Sequence, residues 1–376
     1  MRKFEIDMEW AESFLQKMVK KLSITSDIVG AGYPHTTVNG KYANFDAGPS
    51  KDGYGVFRWT NGFWGGIMWL MYLETKDEKY KKIAEDSEAM LDEAFDMFSW
   101  ITHDLGFMWL LTAVADYRIT GSERAKYRGL HAATLLAGRF NHKGGFIRAW
   151  EQRYPTGTII DCMMNIPLLY WASEVLEDPR FADIAEMHAD KTLKYILRPD
   201  GSSAHIAVFD LESGEAIEYP NGQGAFSGSS WSRGQAWAIY GFALSYLHTG
   251  KKEYLDAAKR SAHYFIANID DSLVPDVDFR AHPDKEYKDT TAGAAAASGL
   301  IELAGLVEEG EKELYLNAAY GLLKGLEPYC RFDLEEEAIL QNGVAAYGKE
   351  PQAIIYGDYF LMEALLKLKG NKVLLW

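Results

Sequence analysis

The chain has 376 residues, 48% of them hydrophobic, and 39 Lys plus Arg against 54 Asp plus Glu give a formal charge of −15. An acidic surface of this kind repels nucleic acid and anionic membrane, and no apolar run approaches the ~20 residues a bilayer span requires, so neither partner is expected. Two cysteines, Cys162 and Cys330, exclude a disulfide framework, and Cys162, set in an apolar run, is expected to be a small core residue and not a nucleophile.

The chain opens with MRKFEIDMEWAESFLQKMVKKL, which carries acids throughout and has no apolar h-region. It predicts an amphipathic helix over about residues 8–22 and no signal peptide, and hence a cytoplasmic protein. Residues 23–58 are rich in Gly, Asn, Ser and Tyr and are read as loop. Six stretches then recur: 58–75, 102–121, 159–178, 230–250, 288–308 and 356–370. Each starts with a polar or charged residue, runs almost wholly apolar for about four turns and stops at a polar or Gly-containing turn, the pattern of a helix buried on every side. The first five are each followed by a charged helix with apolar residues every three or four positions, such as DEKYKKIAEDSEAMLDEAF and KKEYLDAAKRSAHYFIANI. These are outer helices, one face on the core and one in water.

The N-terminal helix supplies an outer partner for the sixth inner helix if the ring closes. Length alone suggests roughly two domains, but strict alternation at a repeat of roughly 45 to 70 residues predicts one closed helical toroid over residues 1–376. The fold class is therefore all-α, an (α/α)6 barrel. An open solenoid would need polar capping repeats, and the last inner helix is as apolar as the others. The second long loop, residues 198–229, contains HIAVFDLESGEAIEY (205–219), which alternates around a Glu-Ser-Gly-Glu turn as a hairpin does. In a closed ring such loops wall one mouth, where a site belongs.

The polar residues that open the inner helices point into one end of the ring. Asp104 in HDLGF and Asp161 in IIDCMMN lie on consecutive inner helices, whose axes are ~8–10 Å apart, so their carboxyls can face each other across a gap that holds a sugar edge or a water. Each could be a plain N-cap, worth about 0.5–2 kcal/mol. Two at matching places, amid Trp, Phe and Met and with no adjacent Lys or Arg, point instead to chemistry. Desolvation and mutual repulsion should raise their pKa values, as suits a general acid. Arg233 and Trp237, four apart in WSRGQAW, share a helix face, and a guanidinium beside an aromatic plane suits a ring-borne carboxylate; a barrel-end salt bridge with Trp237 as core is the plainer reading. His205 and Gln223 in the long loop are weak signals alone. Trp59, Trp64 and Trp150 adjoin polar loop residues near the mouth, where aromatic rings stack on sugars, though most of the 11 tryptophans must be core. No His/Cys/carboxylate cluster has metal-ligand spacing.

Taken together, W-T-N-G-F-W, H-D-L-G-F, D-x-x-M-N, D-G-S-x-x-H, G-Q-G, W-S-R-G-Q-A-W-A-I-Y-G and G-D-Y-F-L-x-E-A-L resemble the unsaturated glucuronyl hydrolases, glycoside hydrolase family 88, in the same order over about residues 10–368. The resemblance implies an (α/α)6 barrel that acts on the terminal C4=C5 unsaturated uronate left by polysaccharide lyases. It implies Asp161 as the acid that protonates C4 and then the base that activates water for C5, and Asp104 as the group that binds ring hydroxyls and sets the protonation of Asp161. His205 and Gln223 match positions near the reacting centre, Arg233 and Trp237 positions around the substrate, and Trp59 and Trp150 stacking platforms. It implies no metal or organic cofactor, and a small unsaturated uronic-acid oligosaccharide as partner of a monomer or weak homo-oligomer. LQNGVAAYGKEPQ has one lysine, Lys349, and no Ser or Thr, and so matches no sulfate-binding pattern. The related unsaturated rhamnogalacturonyl hydrolases are the alternative within this chemistry, and a non-catalytic sugar-binding toroid the alternative outside it.

Overall fold

The recurring apolar stretches fold as helices buried on all sides, and the charged stretches between them as helices with one wet face. The computed structural model describes residues 3–42, 55–150, 153–281, 287–371 and 375–376; the part of the expected first loop at 43–54 lies outside them. In chain order the α-helices are α1 (Met8–Val29), α2 (Asn61–Thr75), α3 (Glu78–Met90), α4 (Asp92–Asp96), α5 (Leu105–Trp109), α6 (Ala115–Thr120) and α7 (Glu123–Ala137). There follow α8 (Pro167–Leu176), α9 (Arg180–Tyr195), α10 (Ser232–Thr249), α11 (Lys252–Ala267), α12 (Thr290–Leu306), α13 (Glu309–Leu326) and α14 (Ile355–Leu368). A π-helical turn, Leu110–Val114, joins α5 to α6, so these two form one inner helix.

Each inner helix packs on the next, α2 on α5, α5 on α8, α8 on α10, α10 on α12 and α12 on α14, and α14 returns to α2. The ring is closed. Outside it α3, α9, α11 and α13 each lie against the inner helix that precedes them, α7 lies against α5 and α8, and α1 covers α14. The core is continuous around the ring and strongly aromatic on its axis: Trp376, fully buried, stacks on Phe360 with ring centroids 5.7 Å apart and donates its indole N–H to Glu363 at 2.9 Å. Among the described residues no helix is long and apolar enough to cross a membrane.

Among the described residues seven short strands decorate the loops: β1 (Thr37–Val38) with β2 (Lys41–Tyr42), β3 (Phe140–Asn141) with β4 (Phe146–Ile147), and an antiparallel sheet of β5 (Gly157–Ile159), β6 (Ile206–Phe209) and β7 (Ala216–Glu218). β6 and β7 are the hairpin expected at 205–219. β5 was not expected. It replaces the start of the predicted inner helix at 159, and the helix proper begins at Pro167, whose fixed φ and missing N–H suit a first helical position. Helix α1 runs to Val29, seven residues past the predicted end at 22. Thr25 and Ser26 are buried there, with the Thr25 hydroxyl bonded to the carbonyls of Lys21 and Glu337 and that of Ser26 to Ser23, so tertiary contact sustains helix through residues of modest propensity.

Candidate active site

Backbone contacts of unusual closeness bring the starts of the inner helices together. A Cβ at Gly106 would lie 2.3 Å from the Cα of Asn165, and one at Gly62 would lie 2.2 Å from the carbonyl oxygen of Phe107; only glycine fits either position. The fully buried Asn165 then ties α5 to the turn that carries Asp161. Its Oδ1 accepts the Phe107 N–H at 2.8 Å, and its Nδ2 donates to the Asp161 carbonyl at 3.0 Å. This is the physical content of H-D-L-G-F and D-x-x-M-N: glycine for the approach, asparagine for the clamp.

Asp104 occupies the N-cap of α5 but makes no capping bond. Its Oδ2 accepts the Thr102 hydroxyl at 2.7 Å, and its Oδ1 lies 3.2 Å from His103 Nε2. Asp161 is not a cap either. It sits on a 3-10 turn, Ile160–Met164, directly after β5. The β5–β6 register pairs Ile159 with Ile206, and the Ile160 N–H donates to the His205 carbonyl at 3.0 Å. The sheet thereby delivers His205 to Asp161, with Nε2 3.3 Å from Oδ2 and neither atom well aligned with any hydrogen-bond partner among the described residues. Around His205 Nδ1 lie the Gln223 backbone N–H, which donates to it at 2.9 Å, and the Asn221 carbonyl oxygen at 3.3 Å.

The two carboxyls are displaced in opposite directions, where both were expected to rise. Burial raises Asp104, with the charge of Asp161 adding to the rise and His103 and Thr102 only partly offsetting it. Burial pushes Asp161 up as well, but the hydrogen bond and charge of His205, with the charges of His103 and Arg233, outweigh it and hold Asp161 below the ordinary range. Cys162 is buried, and burial drives its thiol well above the usual value, so it stays a protonated core group.

Arg233 lies within reach of Asp161 but not as expected. Its side chain is 1% exposed, paired with the fully buried Asp289 at 3.0 Å, and its guanidinium donates to the carbonyls of Val344 at 2.7 Å and Ala345 at 2.8 Å. The rings it lies over are Trp231, at 4.4 Å, and Tyr356, at 5.0 Å. Trp237 packs instead between Phe107 and Phe360 and is fully buried, a floor beneath the site. One helical turn along an inner helix that is buried all round was enough to separate the two. Trp64 is likewise core, its indole N–H bonded to the Gly30 carbonyl at 2.9 Å. Trp59 and Trp150 stay partly exposed. Trp59 stacks on Tyr356 at 5.0 Å, and Trp150 meets the His103 ring edge-on at 5.9 Å. Gln223 donates its side-chain amide to the Ala345 carbonyl at 2.6 Å and its carbonyl receives the Tyr347 N–H at 2.8 Å. With Arg233 it pins residues 344–347 as one wall of the site.

Four residues were not singled out by sequence: His103, Trp231, Asp289 and Tyr356. His103 and Tyr356 stand at inner-helix starts, the same signal that marked the two aspartates. Asp289 stands there too, as the N-cap of α12, but its pairing with Arg233, 56 residues away, has no local signal. Among the described residues no group of three or more His, Cys, Asp or Glu is placed to hold a metal ion.

This geometry has counterparts. The sequence is 38% identical to an unsaturated glucuronyl hydrolase of a Bacillus species over 85% of this chain and 88% of that protein. It is 33% identical to an unsaturated chondroitin disaccharide hydrolase of Streptococcus agalactiae over 97% of this chain and 93% of the relative. The structure of an unsaturated glucuronyl hydrolase from Streptococcus agalactiae superposes with a TM-score of 0.91 at 32% identity, covering 100% of this chain and 95% of the other. The profile of Glycosyl Hydrolase Family 88 matches residues 38–277. With closed ring, paired carboxyls and relatives in agreement, the chain belongs to Glycosyl Hydrolase Family 88 and is a glycosidase.

Proposed function

We propose that this enzyme releases the terminal 4,5-unsaturated glucuronate from lyase-generated glycosaminoglycan oligosaccharides, with Asp161 as acid and then base. Water adds across C4=C5: the Asp161 carboxyl gives its proton to C4, and the resulting carboxylate takes a proton from the water whose oxygen bonds to C5. The C5 hemiketal opens to a ketone, which leaves C1 a hemiacetal that expels the remaining sugar as an alcohol. The observation that carries this reading is geometric: Asn165 bonds both the Phe107 N–H and the Asp161 carbonyl and so holds the two carboxyl-bearing helix starts together, with His205 Nε2 3.3 Å from Asp161 Oδ2.

Asp161 has to be protonated to begin. His205 favours its ionised form. A uronate entering beside it brings a second negative charge and excludes water, both of which favour the proton. The acid form therefore arises on binding, and the proton is taken up with the substrate. The low affinity for a proton in the absence of substrate suits the carboxylate for release of the finished product. Trp59 and Trp150 flank the mouth as stacking surfaces, and Arg233 and Gln223 act through the wall they hold at Val344 and Ala345.

Incubation with unsaturated disaccharides from chondroitin, hyaluronan, heparin and pectin, following loss of the ultraviolet absorbance of the double bond, tests the assignment. Turnover of the glycosaminoglycan-derived substrates above the pectin-derived one is expected. The reverse ranking would move the enzyme to the rhamnogalacturonyl branch, and no turnover of any would reject the activity.

A further inference from the structure

We propose that His103 is a positioning residue that shares a single proton with Asp104, so that the pair is electrically neutral where it faces Asp161. The inference deepens the function proposed above and rests on its assignment of Asp161.

The hydrogen-bond inventory around the pair leaves few choices. The Ala149 carbonyl oxygen accepts from His103 Nδ1 at 3.0 Å, from the His103 backbone N–H at 3.2 Å and from the Arg139 guanidinium at 3.2 Å. A carbonyl has no hydrogen to give, so Nδ1 carries one. On the other residue, the Thr102 hydroxyl accepts the Asp104 backbone N–H at 3.4 Å and donates to Asp104 Oδ2 at 2.7 Å, which makes Oδ2 an acceptor. What remains is His103 Nε2 and Asp104 Oδ1, 3.2 Å apart, on a ring only 2% exposed. Nε2 makes no aligned hydrogen bond among the described residues, to Asp104 or to any other group. A neutral imidazole beside an ionised carboxylate would set two lone pairs against each other in a desolvated place. One proton between them removes the conflict, and whether it rides on Nε2 or Oδ1 the pair's net charge is zero.

The surrounding groups agree with this count. His188 accepts the Ile147 N–H on Nδ1 at 3.1 Å, and burial, helped by the charge of His103, lowers its pKa to about 3, so it is neutral. The Cys162 thiol is held protonated by burial. Arg139 spends its guanidinium on the carbonyls of Ile101, Arg148 and Ala149. Among the described residues Asp161 is the remaining facing acid, and its neighbour is His205. The consequence is functional. Asp161 and an incoming uronate meet a neutral dyad and not a second carboxylate, which removes a like-charge penalty that would otherwise oppose substrate binding.

The test has two arms. Protein labelled with 15N in histidine and 13C in the aspartate carboxyls is titrated by NMR, with His103→Asn and Asp104→Asn used to assign the signals. His103 Nε2 and the Asp104 carboxyl carbon are expected to change in one common step, with Nδ1 protonated throughout. Two separate steps, or an Nε2 that never changes, would overturn the proposal, and this arm needs no activity at all. In the second arm, His103→Asn keeps an N–H for the Ala149 carbonyl but has no atom at Nε2. Its kcat/KM should fall about ten- to a hundredfold, the usual range for removing the outer partner of a functional group, mainly through kcat, and the alkaline limb of its pH profile should move to lower pH because Asp104 then ionises alone. An unchanged profile would reduce His103 to a structural ring. Failure of the wild-type enzyme to turn over any unsaturated disaccharide, with the common NMR step present, would sink the function and leave the dyad standing.

Discussion

Arg233 shows how far a residue's type can be read from sequence and where its partner cannot. Its position at an inner-helix start was legible, but its ion pair with Asp289 and its bonds to Val344 and Ala345 join segments 56 to 112 residues apart, and no local pattern encodes them. The same holds for His205, which reaches Asp161 only through the β5–β6 register. Asp104 and Asp161 were legible because both open apolar stretches; that Asp161 sits low depends on the distant His205, and that Asp104 sits high depends on its burial in the folded chain. Two expectations follow at this scale. Arg233→Ala leaves Asp289 buried without its cation and should cost about 3–5 kcal/mol of stability in chemical denaturation, the usual price of breaking a buried pair. Arg233→Lys should recover only part, because an ammonium cannot span the two carbonyls as the planar fork does. A variant Arg233→Ala with wild-type stability but greatly raised KM would instead return the arginine to direct substrate contact. Proton uptake is the second: mixing enzyme with unsaturated disaccharide in lightly buffered solution should draw protons from an indicator as the complex forms, and KM should rise with pH.

At the scale of elements, buried apolar helices and amphipathic partners were legible because periodicity records which faces meet water. Boundaries were less so. Helix α1 outruns its pattern because the Thr25 hydroxyl is satisfied by the distant Glu337 carbonyl and that of Ser26 by the Ser23 carbonyl one turn back, and the third inner helix starts late because β5 claims residues 157–159. Helix starts are held by close approach, so Gly106→Ala, which puts a Cβ 2.3 Å from Asn165 Cα, should destabilise by at least about 1–3 kcal/mol and reduce activity further by parting Asp104 from Asp161. At the start of α14, Asp358 accepts the N–H groups of Ile339 at 3.0 Å and Leu340 at 2.7 Å, and burial nevertheless pushes its pKa up to about 7. A raised folded-state pKa means that this carboxyl's contribution to stability is complete below its ordinary value of 3.8 and is lost as pH rises through about 7. Asp358→Asn cannot ionise and so should erase that slope. It should also cost about 1–3 kcal/mol, because one of the two N–H groups then faces an amide NH2. Urea denaturation of both proteins between pH 4 and 8 decides the point; parallel stability–pH curves would contradict it.

For the whole molecule, ring closure was the inference that reorganised the sequence. The last inner helix had no outer partner and the first helix had no inner one, and α14 does pack on both α1 and α2. The overall charge of −15 opposes an anionic substrate at long range, so binding has to come from contacts at short range inside the mouth. Raising salt from low to physiological strength should therefore leave kcat/KM at subsaturating substrate unchanged or slightly higher, because screening weakens only the global repulsion; a steep fall would demand a cationic steering surface. The central claim is that the bond broken first is the C4=C5 double bond, with a proton from Asp161. The measurement that tests it most directly compares an unsaturated chondroitin disaccharide with its saturated counterpart, following ultraviolet absorbance and released amino sugar for wild type and Asp161→Asn. Wild type should bleach and cleave the unsaturated disaccharide together and leave the saturated one intact, and Asp161→Asn, still folded, should lose at least ~10²-fold in rate. Cleavage of the saturated disaccharide, or near-normal turnover by folded Asp161→Asn, would contradict it.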